Sequence, residues 1–199
     1  SIKLLNILIL LTIHTIAFCQ STIINGNFKG AEGRLIRLYT IQDFITFTDT
    51  LIAKAPIDHN GNFSIVLKLP KDKIYYTYFK VKDIRSNDLY LENNKTYNLI
   101  FDTLDFDKND TYTSFLTRLN MNFTILKLDT NDLNFKIPQL NIILNDFYAH
   151  NIKTQVEPTG GTINKIPKTK IDSLNALLLT KFSNYKSNYF NNYLKYSIA

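Results

Sequence analysis

The chain has almost no cysteine, and this scarcity excludes several kinds of chemistry. Cys19 is the single cysteine among 199 residues, and it lies in an apolar N-terminal stretch. The rest of the chain therefore has no thiol for a disulfide, a zinc finger, a catalytic cysteine or a Cys-x-x-Cys redox pair.

Histidine is nearly as rare. After the N-terminal stretch only His59 and His150 remain, and neither has a second histidine three or four residues away, as a helical metal pair requires. His59 could act as a general base beside Asp58, but the residues around it mark no nucleophile. We therefore expect no metal, no cofactor and no enzymatic activity.

A dense block of basic residues is missing as well. Lysine and arginine total 23 against 17 acidic residues, and no run of them is dense enough to make nucleic acid an expected partner. Hydrophobic residues make up 45% and charged residues 20%, a composition typical of a globular protein. The length suits one ordinary domain, or one domain with a smaller appendage.

The N-terminal apolar run, residues 4–18, is too short for a membrane-spanning helix, which needs about 20 apolar residues. A lysine before it and a short polar exit after it are typical of a secretory signal. We predict a signal peptide over residues 1–20 and hence an exported protein of the periplasm or outer-membrane surface. Lipid attachment at Cys19 is an alternative, although Phe18 stands where lipoprotein signals have a small residue. An N-terminal buried helix is the third interpretation.

Short runs that alternate between apolar and polar residues fill residues 21–102, and clusters of Gly, Asn and Asp separate them. About seven strands without a helix between them favour an antiparallel sandwich over a parallel sheet. The expected strands cover residues 23–29, 34–40, 46–57, 62–68, 75–82, 89–92 and 95–101.

Two of these runs meet at Asn60-Gly61, a strong local signal for a hairpin. A three-residue loop over residues 59–61 pairs Ile57 with Phe63 and places the apolar residues of both strands on one face. A two-residue loop would place them on opposite faces. We therefore predict a hairpin between these strands, with Gly61 in the left-handed conformation.

The strand over residues 75–82 has a face that carries tyrosine and lysine side by side. Tyr76 and Tyr78 share this face with Lys80 and Lys82, because side chains alternate along a strand. Such a face could stack on sugars or cover a partner. The alternative is that tyrosine is simply a good strand former with a solvated hydroxyl group.

Four segments carry a resemblance to a known family: INGNF at 24–28, RLIRL at 34–38, DHNGNF at 58–63 and LENNKTY at 91–97. Together they resemble the uncharacterised β-sandwich domain found at the N-terminus of many exported Gram-negative envelope proteins. They are more distantly similar to the carboxypeptidase-regulatory-like sandwich. The resemblance covers residues 21–102 and implies a β-sandwich that often precedes a thioredoxin-like domain, in a family that supplies no catalytic residues.

Residues 103–199 are predicted to be a mainly helical region, truncated at its C-terminus. Residues 111–129 suit either a helix or an extended segment. An apolar stripe at helical spacing predicts a helix over 139–152 that begins at Pro138, where proline is tolerated. Prolines and glycines predict a loop over 154–170.

Helical periodicity returns over residues 171–199. Asp172 or Ser173 is the expected N-cap, and a break is expected near Ser187-Asn188. Tyr189 and Tyr193 belong to an aromatic stripe beyond this break. The stripe could be a binding surface for a partner or a downstream domain, or it could pack on neighbouring helices.

An acidic cluster at the start of this region has the opening spacing of a calcium loop, Asp105-x-Asp107-x-Asn109. Asp110 then occupies the position that requires glycine, and Leu116 stands where a bidentate glutamate is needed. We therefore expect a solvated linker here and not a metal site.

The sequence thus predicts an α+β protein, with an N-terminal antiparallel β-sandwich of about seven strands followed by an α-helical region. Its expected function is a non-catalytic interaction or scaffolding module of a secreted or periplasmic envelope protein, the N-terminal part of a longer chain. The expected partner is a protein or a downstream domain of the same chain, with no transmembrane span after signal removal. The alternatives are an accessory region of a thioredoxin-like oxidoreductase and a glycan-binding module.

Overall fold

A computed structural model of the chain describes residues 21–43, 46, 48–71, 73–106, 121–156 and 162–197. The chain divides into two compact units, Ser1–Leu126 and Lys127–Ala199, called here the sheet unit and the helical unit. The predicted signal peptide lies outside the described residues and stays a prediction. Within the described residues, no helix combines the length and the apolar character that a membrane crossing requires.

In the described part of the sheet unit, eight strands form two four-stranded sheets. In the first sheet the strand order is β4-β1-β7-β8, and in the second it is β3-β2-β5-β6. The strands are β1 (Thr22–Asn27), β2 (Leu35–Asp43), β3 (Thr48–Pro56), β4 (Asn62–Leu67), β5 (Tyr75–Val81), β6 (Ile84–Leu91), β7 (Thr96–Phe101) and β8 (Phe123–Ile125).

One pairing departs from the antiparallel expectation. Strands β1 and β7 run parallel, with Asn25 opposite Asn98, whereas the other pairs in both sheets are antiparallel. The predicted combination of an antiparallel-rich β-sandwich with a C-terminal helical region is confirmed.

Alternation along the strands places one face of each sheet in a shared core. In β4 the buried residues are Phe63, Ile65 and Leu67, and the residues between them are exposed. The first sheet contributes Phe101 and the second contributes Phe79, whose ring centroids lie 5.6 Å apart. The core is therefore a single apolar cluster between the two sheets.

The predicted β3–β4 hairpin is wrong, although its turn is correct. Gly61 has the expected left-handed backbone, with φ of +81°, and the backbone N–H of Asp58 donates to the carbonyl of Asn62 at 2.9 Å. Beyond this turn, β3 pairs with β2 and β4 pairs with β1. The turn therefore crosses between the sheets, and this crossing buries Ile57 and Phe63 as the hairpin would have done.

Residues after 120 complete the sheet unit. The backbone N–H of Met121 donates to the carbonyl of Arg85 at 3.1 Å. The side-chain oxygen of Asn87 accepts the backbone N–H of Phe123, and its side-chain nitrogen donates to the carbonyl of the same residue. Strand β8 then pairs with β7. The sheet unit therefore includes residues beyond the predicted domain limit at 102, and the second half of the ambiguous segment 111–129 contains a strand.

The helical unit contains helices α1 (Leu133–Asn151), α2 (Lys168–Phe182) and α3 (Asn188–Ser197). The predicted start of α1 at Pro138 is wrong, because Pro138 lies inside the helix. The carboxylate of Asp132 accepts the backbone N–H of Asn134 at 2.8 Å and caps the true N-terminus, as aspartate commonly does. Pro138 itself is exposed.

Two further predictions for this unit are corrected. The expected loop over residues 154–170 contains strands β9 (Lys153–Val156) and β10 (Thr162–Lys165), which pair antiparallel. Helix α2 begins at Lys168, before the expected caps Asp172 and Ser173. Pro167 occupies its N-cap position and makes no side-chain hydrogen bond there. Ser173 instead lies inside the helix, where its hydroxyl group donates to the carbonyl of Thr169. The predicted break is present between α2 and α3.

Candidate functional site

Tyr76 and Tyr78 lie on the face of the second sheet that is turned away from the core. Tyr78 is 0% exposed, because the guanidinium group of Arg85 lies 3.8 Å above its ring and the ring of Tyr39 stacks at 5.8 Å. Tyr76 is half-buried and packs 5.3 Å from the ring of Tyr90. A role for this face in binding stays a prediction, but Tyr78 offers no exposed ring to a ligand.

We expect the Tyr78 hydroxyl group to make the stability of the sheet unit sensitive to alkaline pH. Burial raises its pKa above the ordinary value of 10.0, and the nearby carboxylate of Asp49 raises it further. Folded Tyr78 therefore keeps its proton where unfolded Tyr78 loses it, so stability is full below about pH 10 and decreases above it by about 1.4 kcal/mol per pH unit for this group.

We expect Tyr78→Phe to flatten this part of the stability profile. The check is the urea midpoint of unfolding, measured between pH 9 and 11. Hydrogen exchange of the strand amides, measured separately, assigns the change in stability to the sheet unit. Tyr196→Phe is the control, because Tyr196 is 76% exposed and lies in the helical unit. Equal slopes for wild type and Tyr78→Phe would show that another group controls the alkaline transition.

Tyr189 and Tyr193 belong to the helical unit and take part in its packing. The hydroxyl group of Tyr193 donates to the side-chain oxygen of Asn141 on α1 at 3.1 Å. Tyr189 is half-buried, and burial raises the pKa of its hydroxyl group, with a smaller contribution from Tyr193. Their neighbour Phe190 is fully buried, 5.0 Å from the ring of Phe182. A partner-binding role for Tyr189 and Tyr193 stays a prediction.

The two histidines make local contacts in different units. A ring nitrogen of His59 lies 3.1 Å from the side-chain nitrogen of Asn60, and one of His150 lies 2.7 Å from the carbonyl oxygen of Asp146 in the same helix. Among the described residues, no group of three His, Cys, Asp or Glu side chains is placed to hold a metal ion.

The outer face of the first sheet carries a ladder of neutral polar side chains, which we call the amide ladder: Asn25, Asn27, Asn62, Ser64 and Asn98. The side-chain nitrogen of Asn25 donates to the side-chain oxygen of Asn98 at 3.2 Å. The hydroxyl group of Ser64 donates to the side-chain oxygen of Asn25 at 3.0 Å. These three residues form a row across β4, β1 and β7, because the register places them opposite one another.

A second row lies one step along the same strands. The side-chain nitrogen of Asn27 donates to the side-chain oxygen of Asn62 at 2.8 Å and to the carbonyl of Asn60 at 3.0 Å. On β7 this row continues with Ile100, which is 46% exposed. Mutual hydrogen bonds therefore hold the side chains of both rows in defined positions.

The amide ladder lines an open groove of about 660 Å³. Its apolar rim includes Pro56, Ile100 and Leu126, and Leu126 is 45% exposed. Twelve of the described residues line the groove: Asn25, Gly26, Asn27, Pro56, Asp58, Asn62, Phe63, Ser64, Asn98, Leu99, Ile100 and Leu126.

Asp58 is the one ionisable residue of that lining. Its carboxylate accepts the backbone N–H groups of Asn60 and Asn62, each at 2.8 Å. The Asn62 hydrogen bond is the main cause that holds the pKa of Asp58 below its usual value. One oxygen of the Asp58 carboxylate therefore stabilises the turn.

The sequence interpretation missed this groove. In that interpretation Asn25, Asn27 and Asn62 were only parts of motifs and turns, and Asn98 was only a residue of the predicted strand over 95–101. A usable signal was present, since these residues occupy the polar positions of strands whose apolar positions form the core, and asparagine is otherwise depleted in strands. Their convergence, however, depends on the parallel pairing of β1 and β7.

Comparisons with known proteins identify no family for this chain. No family model matches the sequence, and no curated protein matches it. Among solved structures, the fold is similar to a "putative cell adhesion protein" from Bacteroides fragilis, with a TM-score of 0.30 and 9% sequence identity. The match covers 56% of this chain and 46% of that one, so it spans less than half of the neighbour's length. A likeness of this degree carries no argument about function.

Proposed function

We propose that this chain is a non-catalytic interaction module of an exported envelope protein, and that the amide-ladder groove is its binding surface. The observation that carries the proposal is the ordering of five neutral polar side chains on an exposed sheet face. Four of them are asparagines, which strands disfavour. Hydrogen bonds among them fix the direction of their donors and acceptors before any partner arrives, which reduces the entropy lost on binding.

The chemistry of the groove suits recognition better than catalysis. Amide and hydroxyl side chains donate and accept hydrogen bonds but do not ionise near neutral pH. The one carboxylate at the rim, Asp58, is already held by two backbone N–H groups. The proposed partner is therefore held in place and not transformed.

The proposed location follows from the predicted signal peptide over residues 1–20, so the groove would face a partner in the periplasm or at the outer-membrane surface. Binding of the full chain to washed envelopes of the bacterium that produces it tests this proposal. Co-sedimentation at increasing chain concentration should show saturable binding.

Two variants on the same strand connect this binding to the groove. Ser64→Leu removes a ladder hydroxyl group and fills the groove, whereas Val66→Leu changes an exposed residue two positions away that does not line it. We expect Ser64→Leu to weaken envelope binding at least tenfold and Val66→Leu to leave it unchanged. Equal binding by both variants, or no saturable binding by wild type, would overturn the proposed function.

A further inference from the structure

We infer that the amide-ladder groove binds a neutral oligosaccharide. This inference rests on the proposed function, because it names the class of ligand for the same surface. Three properties of the groove carry it: unused hydrogen-bonding capacity of both kinds, the absence of a cation among its described lining residues, and an apolar rim beside the polar floor.

The ladder keeps donors and acceptors for a ligand. In the first row Asn98 uses only its side-chain oxygen, so its NH₂ group still has two hydrogens to donate. Asn25 uses one hydrogen and accepts one bond at its oxygen, which leaves one hydrogen and one lone pair. A sugar hydroxyl group donates and accepts in the same way, so Asn25 and Asn98 can each satisfy it in either sense.

The lining also favours an uncharged ligand. Among the described lining residues the single ionisable side chain is Asp58, which accepts two backbone N–H groups of the turn at one of its two carboxylate oxygens. An anionic ligand would meet no cation among the twelve described lining residues and would approach the Asp58 carboxylate. A cationic ligand would find that one carboxylate, whereas a neutral polyhydroxylated ligand meets all five neutral side chains of the amide ladder.

The rim supplies the apolar contact that a sugar ring needs. Ile100 and Leu126 are 46% and 45% exposed and lie beside the polar rows. The C–H face of a pyranose can cover such aliphatic side chains while its hydroxyl groups reach the amides. An extended peptide would instead pair with the backbone of β4, the edge strand of the sheet as far as the structure describes it, and this pairing requires neither the amides nor the rim.

Titration of the ¹⁵N-labelled full chain with neutral hexasaccharides tests the inference. The probes are maltohexaose, cellohexaose, xylohexaose and mannohexaose, and hexagalacturonate is the anionic comparison. For at least one neutral probe we expect saturable shifts of the side-chain NH₂ signals of Asn25 and Asn98, with no such shifts for hexagalacturonate. If none of the four neutral probes shifts these signals, the inference is overturned.

An isosteric pair of variants locates the donor. Asn98→Asp keeps the oxygen that accepts from Asn25 but removes both hydrogens that would reach the sugar. Asn122→Asp makes the same change of charge at an exposed residue of the sheet unit outside the groove. We expect at least a tenfold weaker affinity for Asn98→Asp and no change for Asn122→Asp. Equal affinities would overturn the assignment of Asn98 as a donor to the ligand.

Pretreatment of envelopes separates a failure of this inference from a failure of the proposed function. Periodate cleaves the vicinal diols of sugars, whereas a protease removes protein partners. Binding that is lost after periodate and kept after protease supports the oligosaccharide. Binding that is lost only after protease overturns the oligosaccharide and leaves the interaction module intact, with a peptide or protein as its ligand.

Discussion

Replacing Phe101 by alanine is expected to destabilise the sheet unit by about 4 kcal/mol, the largest effect of any single change proposed for this chain. Phe101 is 4% exposed and lies at the centre of the aromatic core. Its ring centroid is 4.8 Å from that of Phe28, 5.2 Å from Phe123, 5.6 Å from Phe79 and 5.8 Å from Phe63. Alanine would remove all four contacts and leave a cavity between the two sheets.

Typical domains are stable by about 5–15 kcal/mol, so Phe101→Ala should bring the sheet unit close to unfolding. Hydrogen exchange followed by NMR is the suitable measurement, because it reports on the strands and the helices separately. We expect fast exchange throughout β1 and β7 and unchanged exchange in α1 and α2.

Phe101→Leu is the matched control, since it keeps most of the side-chain volume and should cost less than about 1.5 kcal/mol. If alanine and leucine at this position had the same small effect, the rings around Phe101 would not form the core described above.

The strands were predictable from the sequence because local alternation determines which side chains are buried. Ile24, Phe63, Ile65 and Leu99 occupy apolar positions of alternating runs, and all four lie in the core. Gly61 was predictable in the same way, because the turn signal Asn60-Gly61 is also local. Strand limits were less accurate: β6 begins at Ile84, five residues before the expected start, since its bulged first half does not alternate cleanly.

Strand pairing was not predictable, and the turn at residues 58–61 shows why. Alternation predicts that Ala55, Ile57, Phe63 and Ile65 face the core, and they do so. A hairpin within one sheet and a crossing between two sheets bury the same side chains, however. The outcome depends on whether β3 and β4 pair with each other or with β2 and β1. No local pattern in the sequence determines which of these pairings forms.

The amide-ladder groove could not be predicted from the sequence, for a related reason. Asn25 and Asn98 are 73 residues apart in the chain, and they meet only because β1 and β7 pair in parallel. The tyrosine face shows the opposite limit of sequence reasoning. Its side chains were assigned to the correct surface, but the sequence did not show that Arg85 and Tyr39 would cover Tyr78.

Replacing Gly26 by alanine is expected to destabilise the sheet unit by about 3 kcal/mol, because overpacking of a well-filled core typically costs about 1–3 kcal/mol. Gly26 is the penultimate residue of β1, opposite Phe63, and a Cβ atom there would stand 2.2 Å from Cε1 and Cζ of the Phe63 ring. That ring is 5% exposed and is held between neighbouring aromatic rings, so it has little room to move aside.

A double-mutant cycle attributes this cost to the contact with Phe63. Phe63→Leu alone should cost less than Gly26→Ala, and the double variant should be more stable than the sum of the two single changes predicts, by about 1–2 kcal/mol. Urea unfolding of the four chains gives the coupling energy. Strict additivity would mean that the alanine acts through the strand backbone and not through the ring.

The same cycle tests how the groove depends on the core. Gly26 and Phe63 both line the groove and lie directly between the two rows of the amide ladder. If the ring beneath β1 sets the position of that strand, Gly26→Ala should also weaken binding in the groove, and the double variant should recover it. Ser64→Leu, which acts from the open side, should weaken binding while leaving the urea midpoint near that of wild type.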